Sequence, residues 1–211
     1  IAQTTYAINL NVFTDPHPVM NEGTIGFAFA GNKFVGSVQR DGTGALYSTD
    51  LNGGNVQVFA PTVSLAPTSS AEHFVSSSLG LGGFPSRDVY VASGNGVMHI
   101  TNDGTSSDLF VSGLNGSVRG ITFDSIGTFA NNMLITTTSG DVYRVNSAGG
   151  VSLLASVGED TEGLDVAPLG NGFSTEAYLQ AHWNANYFPP TGSYWSTSNG
   201  LGKGHDAYGL I

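Results

Sequence analysis

The chain contains no cysteine. That excludes a disulfide framework, a thiolate metal site and a cysteine nucleophile. Basic residues are scarce as well, with six Lys and Arg against sixteen Asp and Glu in 211 residues, a net charge of −10. Such a surface repels nucleic acid and anionic membranes, because both are held by cationic side chains. No run of eighteen apolar residues is present, so no segment reads as a helical membrane span. No window carries an apolar stripe at 3.6-residue spacing, so helix should be scarce. Absent too are His-x-His and His-Glu-x-x-His spacings, a Gly-x-Ser-x-Gly elbow and a phosphate-binding glycine loop.

What the chain does have is glycine, thirty of them, beside 40% hydrophobic residues. That hydrophobic fraction rules out a disordered chain, and glycine without a collagen period suits many tight turns. Little lysine beside abundant Ser, Thr, Asn and Gly reads as extracellular or periplasmic. A chain beginning at Ile1 reads as a mature form after loss of a signal peptide. Asn115-Gly116-Ser117 is a glycosylation sequon, although Asn-Gly is first of all a turn signal.

One short pattern returns four times. Ile25-Gly26-Phe27-Ala28-Phe29, Arg119-Gly120-Ile121-Thr122-Phe123 and Glu162-Gly163-Leu164-Asp165-Val166 align on a glycine followed by alternating apolar residues. Gly26 and Gly120 stand 94 residues apart, and a degenerate copy, Glu72-His73-Phe74-Val75, falls midway between them. Each copy leads into further short β-branched and aromatic runs, such as Asp88–Ala92, Gly96–Ile100, Asn132–Thr137 and Gly140–Val145. Between them lie turn dipeptides, including Asp41-Gly42, Asn52-Gly53, Asn95-Gly96, Asp103-Gly104 and Ser139-Gly140, expected to supply paired positive φ values. The alternation predicts half-buried antiparallel strands, and Pro61–Ser70 reads as a surface connection.

A repeat of 43 to 51 residues built from short strands predicts a β-propeller. The expectation is all-β, with four-stranded antiparallel blades, about four of them complete. Residues 20–211 form the propeller, and residues 1–19 hold one strand, Thr5 to Phe13, that could clasp the last blade. The tail has two readings. Tyr208-Gly209-Leu210 is either the outer strand of blade four or the first strand of an incomplete fifth. An edge left open would invite pairing between copies.

The motifs Glu-Gly-Leu-Asp-Val-Ala-Pro at 162–168 and Arg-Gly-Ile-Thr-Phe-Asp at 119–124 resemble those of NHL-type and gluconolactonase/regucalcin-like propellers. The resemblance extends over roughly residues 20–200 and specifies fold better than function. Gluconolactonase-like enzymes build a metal site from a Glu of the first blade and Asn or Asp of others. That implies comparable places for Glu22 and Glu162 here, while Arg119 departs from the pattern. Streptogramin-lyase propellers use histidine with Mg²⁺, a part that His73 or His205 could imitate.

The residue before each repeat glycine should lie near the mouth of the central channel. Glu22, Glu72, Glu162, His205 and Asp206 are therefore candidate ligands for Ca²⁺ or Mg²⁺, which prefer oxygen donors. The competing expectation is that Glu72, Arg119 and Glu162 pair with one another. Arg119, His73 and the aromatic segment with His182, Trp183, Tyr187 and Trp195 are candidate ligand-binding residues, since exposed aromatics beside polar groups suit glycan and peptide grooves. The favoured expectation is a secreted, non-catalytic binding or scaffold module for a glycan, a protein or its own copies. The alternative is a metal-dependent hydrolase or lyase.

Overall fold

The computed structural model describes residues 24–166 and, in backbone alone, residues 178–182 and 207–210. Among them there is no helix. The strands are β1 (Thr24–Phe29), β2 (Phe34–Val38), β3 (Gly42–Thr43), β4 (Leu46–Thr49), β5 (Gln57–Val58) and β6 (Ser64–Leu65). Then come β7 (Val75–Ser77), β8 (Val89–Ser93), β9 (Gly96–Ile100), β10 (Ser107–Val111), β11 (Val118–Phe123), β12 (Met133–Thr137), β13 (Asp141–Val145) and β14 (Val151–Ser156). β15 (Tyr178–His182) and β16 (Ala207–Leu210) close the described chain.

Three antiparallel four-stranded sheets follow one another, β1-β2-β4-β5, β7-β8-β9-β10 and β11-β12-β13-β14. Their first strands lie together, β1 against β7 and β7 against β11. They are the inner strands of successive propeller blades. β15 and β16 pair antiparallel as a separate two-stranded sheet, Tyr178 opposite Leu210 and His182 opposite Ala207. The expected clasp strand, Thr5 to Phe13, lies outside the described residues.

The core is organised by seams between blades. Ala28, Val35, Leu46, Val89, Val91 and Ile100 form one cluster joining the first and second sheets. Tyr90, Ala92, Val97, Phe123, Met133 and Ile135 join the second to the third. Leu134, Val142, Phe129 and Val166 carry the third sheet onto the start of the next repeat. The period-2 reading holds, with one correction. Val89 and Val91 face one neighbour while Tyr90 and Ala92 face the other, so β8 and β12 are buried throughout rather than half-buried. A blade stacked between two blades has no solvent face along its middle strands.

The first glycine of the repeat is required by that stacking. A Cβ on Gly26 would stand 2.6 Å from the amide nitrogen of Val75 and 2.8 Å from the carbonyl of His73, both backbone atoms of the next blade. A Cβ on Gly120 would stand 2.6 Å from Thr136 Oγ1 of its own blade and in ordinary van der Waals contact, at 3.4 Å, with Leu164 of the next repeat. Gly26 thus sits where two inner strands approach too closely for a side chain.

Turns between the third and fourth strands share one device. Asp50 Oδ1 accepts the N–H groups of Asn52 and Gly54, both at 2.9 Å, and Asn146 Oδ1 accepts those of Ala148 and Gly150. Thr101 Oγ1 accepts the Ser106 N–H in the middle blade. In four of the five expected dipeptides only the glycine takes positive φ, as at Gly53 (83°) and Gly104 (78°). At Asn95-Gly96 the reading shifts by one residue. The turn is Gly94-Asn95, with φ 56° at Gly94, because Ser93 pairs with Gly96. The Pro61–Ser70 connection is not wholly a surface loop either. Val63 and Leu65 are buried, and β6 pairs with β3.

Candidate functional site

β11 carries a bulge between Val118 and Gly120, and β1 carries one between Thr24 and Phe27. A bulge leaves one residue outside the ladder and re-aims its side chain. In β11 that residue is Arg119, which is 5% exposed at the inner edge of its blade. Its Nη1 donates to Glu72 Oε2 at 2.6 Å, and Nε and Nη2 donate to the two carboxylate oxygens of Asp160, each at 3.2 Å. Nη2 also pairs with Glu162. Glu72 precedes β7, whereas Asp160 and Glu162 follow β14, so one guanidinium joins three successive repeats. Burial alone would lower the pKa of Arg119, but the hydrogen bonds and charges of Asp160, Glu162 and Glu72 outweigh it and raise it.

Sequence reasoning thus placed Glu72, Arg119 and Glu162 together but did not single out Asp160. Its role depends on the bidentate reach of the guanidinium, which the repeat pattern does not encode. The four groups carry a formal charge of −2, and the carboxylates keep a fifth to a third of their side chains exposed. Among the described residues no group of three or more His, Asp or Glu is arranged to hold a metal ion. Glu22, His205 and Asp206 lie outside the described residues, as do Trp183, Tyr187 and Trp195. His182 belongs to β15 by its backbone.

His73 occupies the degenerate repeat position and is fully buried. Its Nδ1 lies 2.8 Å from the Ala92 carbonyl and its Nε2 3.1 Å from Asp41 Oδ1. Ser37 Oγ donates to the His73 carbonyl at 2.5 Å and accepts the Gly26 N–H at 2.8 Å. The imidazole therefore ties the β2–β3 turn of one blade to the second strand of the next. Thr136 takes Ser37's place opposite the β11 bulge. Its hydroxyl and that of Thr137 are the buried side-chain groups without a partner among the described residues.

His99, in β9, has both ring nitrogens satisfied. Nδ1 lies 2.8 Å from Asp108 and Nε2 2.8 Å from Asp88, with the ring stacked on Tyr90 at 5.0 Å. Burial works against its charge, yet the hydrogen bonds to Asp88 and Asp108 win and raise its pKa. The Asp103 loop is a turn, its carboxylate held down to about 2 by bonds from Thr101 and Thr105.

Solved structures of similar fold include the extracellular domain of a putative hybrid two-component system, BT4673, from B. thetaiotaomicron. It shares 13% identity at a TM-score of 0.52, over 82% of this chain and 22% of that one. The Dos1 propeller shares 11% identity at a TM-score of 0.51, over 79% of this chain and 44% of that one. The chain spans less than half the length of either. At these identities the likeness concerns fold alone, and the fold is a β-propeller. A family model described as a protein of unknown function (DUF1302) matches residues 166–211. No curated protein matches the sequence. The NHL and gluconolactonase-like resemblance thus stays at the level of short strand motifs.

Proposed function

We propose that this propeller is a secreted or periplasmic binding or scaffold module without a catalytic centre at its channel mouth, taking a glycan, a protein or further copies of itself. The observation that carries this reading is the guanidinium of Arg119 at the point where the carboxylates converge. A divalent cation bound by Glu72 and Glu162 would sit beside a fixed positive charge, and Coulomb repulsion at such short range opposes its binding. The cluster serves instead to lock three repeats together. The low lysine content and acidic balance support a place outside the cytoplasm.

Metal analysis of the purified chain after dialysis tests the reading. Metal well below one equivalent is the expected result. A tight, stoichiometric Ca²⁺, Mg²⁺ or Zn²⁺ would overturn it in favour of a metal-dependent hydrolase or lyase.

A further inference from the structure

An open groove of about 620 Å³ lies at the seam between the first two blades. That volume falls in the range of small-molecule sites. One wall is the short β3–β6 ladder, Gly42 opposite Leu65 and Thr43 opposite Ser64. The other comes from the end of β8 with Ser93, from Met98 of β9 and from Leu109 of β10. The Ala66 N–H donates to Ser93 Oγ at 2.8 Å and ties the walls together. The groove is therefore built on paired strands rather than on a free loop.

Its lining is apolar apart from two serines and one ionisable residue, Asp41. Asp41 Oδ1 is approached by His73 Nε2 at 3.1 Å and by the Thr68 N–H at 3.3 Å, so the carboxylate is held in one orientation from behind. This accounts for the departure from the repeat. Where the other copies carry glycine, the chain carries a fully buried histidine whose far nitrogen positions Asp41. Leu109 at the rim is 58% exposed, and Met98, a side chain that adapts to irregular ligands, packs against the seam core.

We propose that this groove binds a small cationic amphiphile, an ammonium or guanidinium group on a short apolar body. The cation would meet Asp41, and the body would lie along Leu65, Ala66, Pro67, Met98 and Leu109. Charge complementarity selects this class. The one ionisable side chain on the lining is a carboxylate whose contact with His73 falls on Oδ1 alone, and a net charge of −10 draws cations to the molecule. The inference rests on the reading of the chain as a binding module. Metal content, measured separately on the same protein, decides that reading without touching the groove.

The test is a titration of the full chain with hexylammonium, hexanol and hexanoate at low salt, followed by backbone amide shifts at Gly42, Leu65 and Ser93. Hexylammonium should bind at least tenfold more tightly than hexanol, and hexanoate more weakly than either. Asp41→Asn should bring hexylammonium and hexanol within about twofold of each other. Asp50→Asn should leave their ratio unchanged, because Asn146 caps the equivalent turn and the variant removes the same charge elsewhere. Should Asp41→Asn fail to fold, Leu109→Lys puts a cation on the exposed rim and should weaken hexylammonium at least tenfold. Equal binding of hexylammonium and hexanol, shifts spread over the surface, or indifference to Leu109→Lys would each overturn the proposal.

Discussion

Single atoms decide which residues this fold tolerates. Gly26 and Gly113 show the difference. An added Cβ at Gly26 meets backbone of the next blade at 2.6 Å, and backbone cannot swing aside. At Gly113 nothing lies within 4 Å, and the one obstacle is a φ of +75°. Gly26→Ala should therefore cost about 2 kcal/mol or more by overpacking the seam. Gly113→Ala should cost about 1 kcal/mol of backbone strain. Chemical denaturation of both variants measures the ordering, and a Gly113→Ala loss equal to the Gly26→Ala loss would refute the close-approach argument. His99 supplies a pH-dependent counterpart. Its pKa is raised on folding above the ordinary 6.5, so the folded state binds the proton more tightly. The stabilisation is complete below pH 6.5 and disappears as pH rises through the folded value. Thermal melts of the parent and His99→Gln should differ most near pH 6 and converge in the alkaline range. A difference that grows with pH would reverse the sign and remove the Asp88–His99–Asp108 account.

At the scale of elements, hairpins between the third and fourth strands stand on side chains that accept backbone N–H groups. Asp50, Thr101 and Asn146 are different residues in one role. Asn146→Ala removes two such bonds, to Ala148 and Gly150, and should cost about 1 kcal/mol. Asn146→Asp, which restores the oxygen, should recover most of it. Hydrogen exchange at Ala148 and Gly150 checks that the loss is local. Faster exchange across all three sheets would mean that the turn holds more than its own blade. A related device supports the inner strand of the third blade. Asp124 is fully buried and accepts N–H groups from Ile126, Gly127, Phe129 and Asn131, holding the connection to β12. The final Asp of the 119–124 motif is thus a loop organiser, not a ligand for an external group.

For the molecule as a whole, Arg119 is the point through which three repeats are joined. Removing it leaves three carboxylates facing one another in a partly dry site. Arg119→Met should cost about 3 kcal/mol, the lower end for breaking a buried ion pair, because the carboxylates keep some solvent. Glu72→Gln, which leaves two carboxylates on the guanidinium, should cost about 1 kcal/mol or less. Differential scanning calorimetry of the two variants reads this asymmetry directly. If Glu72→Gln proved as damaging as Arg119→Met, the hub description would fail.

Much of the architecture is legible in the sequence, and for a physical reason. Propeller blades repeat because each must present the same inner strand to its neighbour, so the glycine and its apolar successors return at nearly constant spacing. Strands β2, β8, β9, β12 and β13 follow from local alternation, and the pairing of Glu72, Arg119 and Glu162 follows from their shared place in the repeat. Tertiary structure alone decided the rest. Full burial of β8 and β12 depends on two neighbours, which no window of one strand contains. The one-residue shift to Gly94-Asn95 came from ladder register rather than dipeptide preference. Asp160 joined Arg119 because a guanidinium has donors in two directions, and geometry determines which carboxylate fills the second. The His73–Asp41 contact spans 32 residues and two blades. It reads in the sequence merely as a flaw in the repeat, because what the flaw accomplishes lies in a groove that exists only once the blades are stacked.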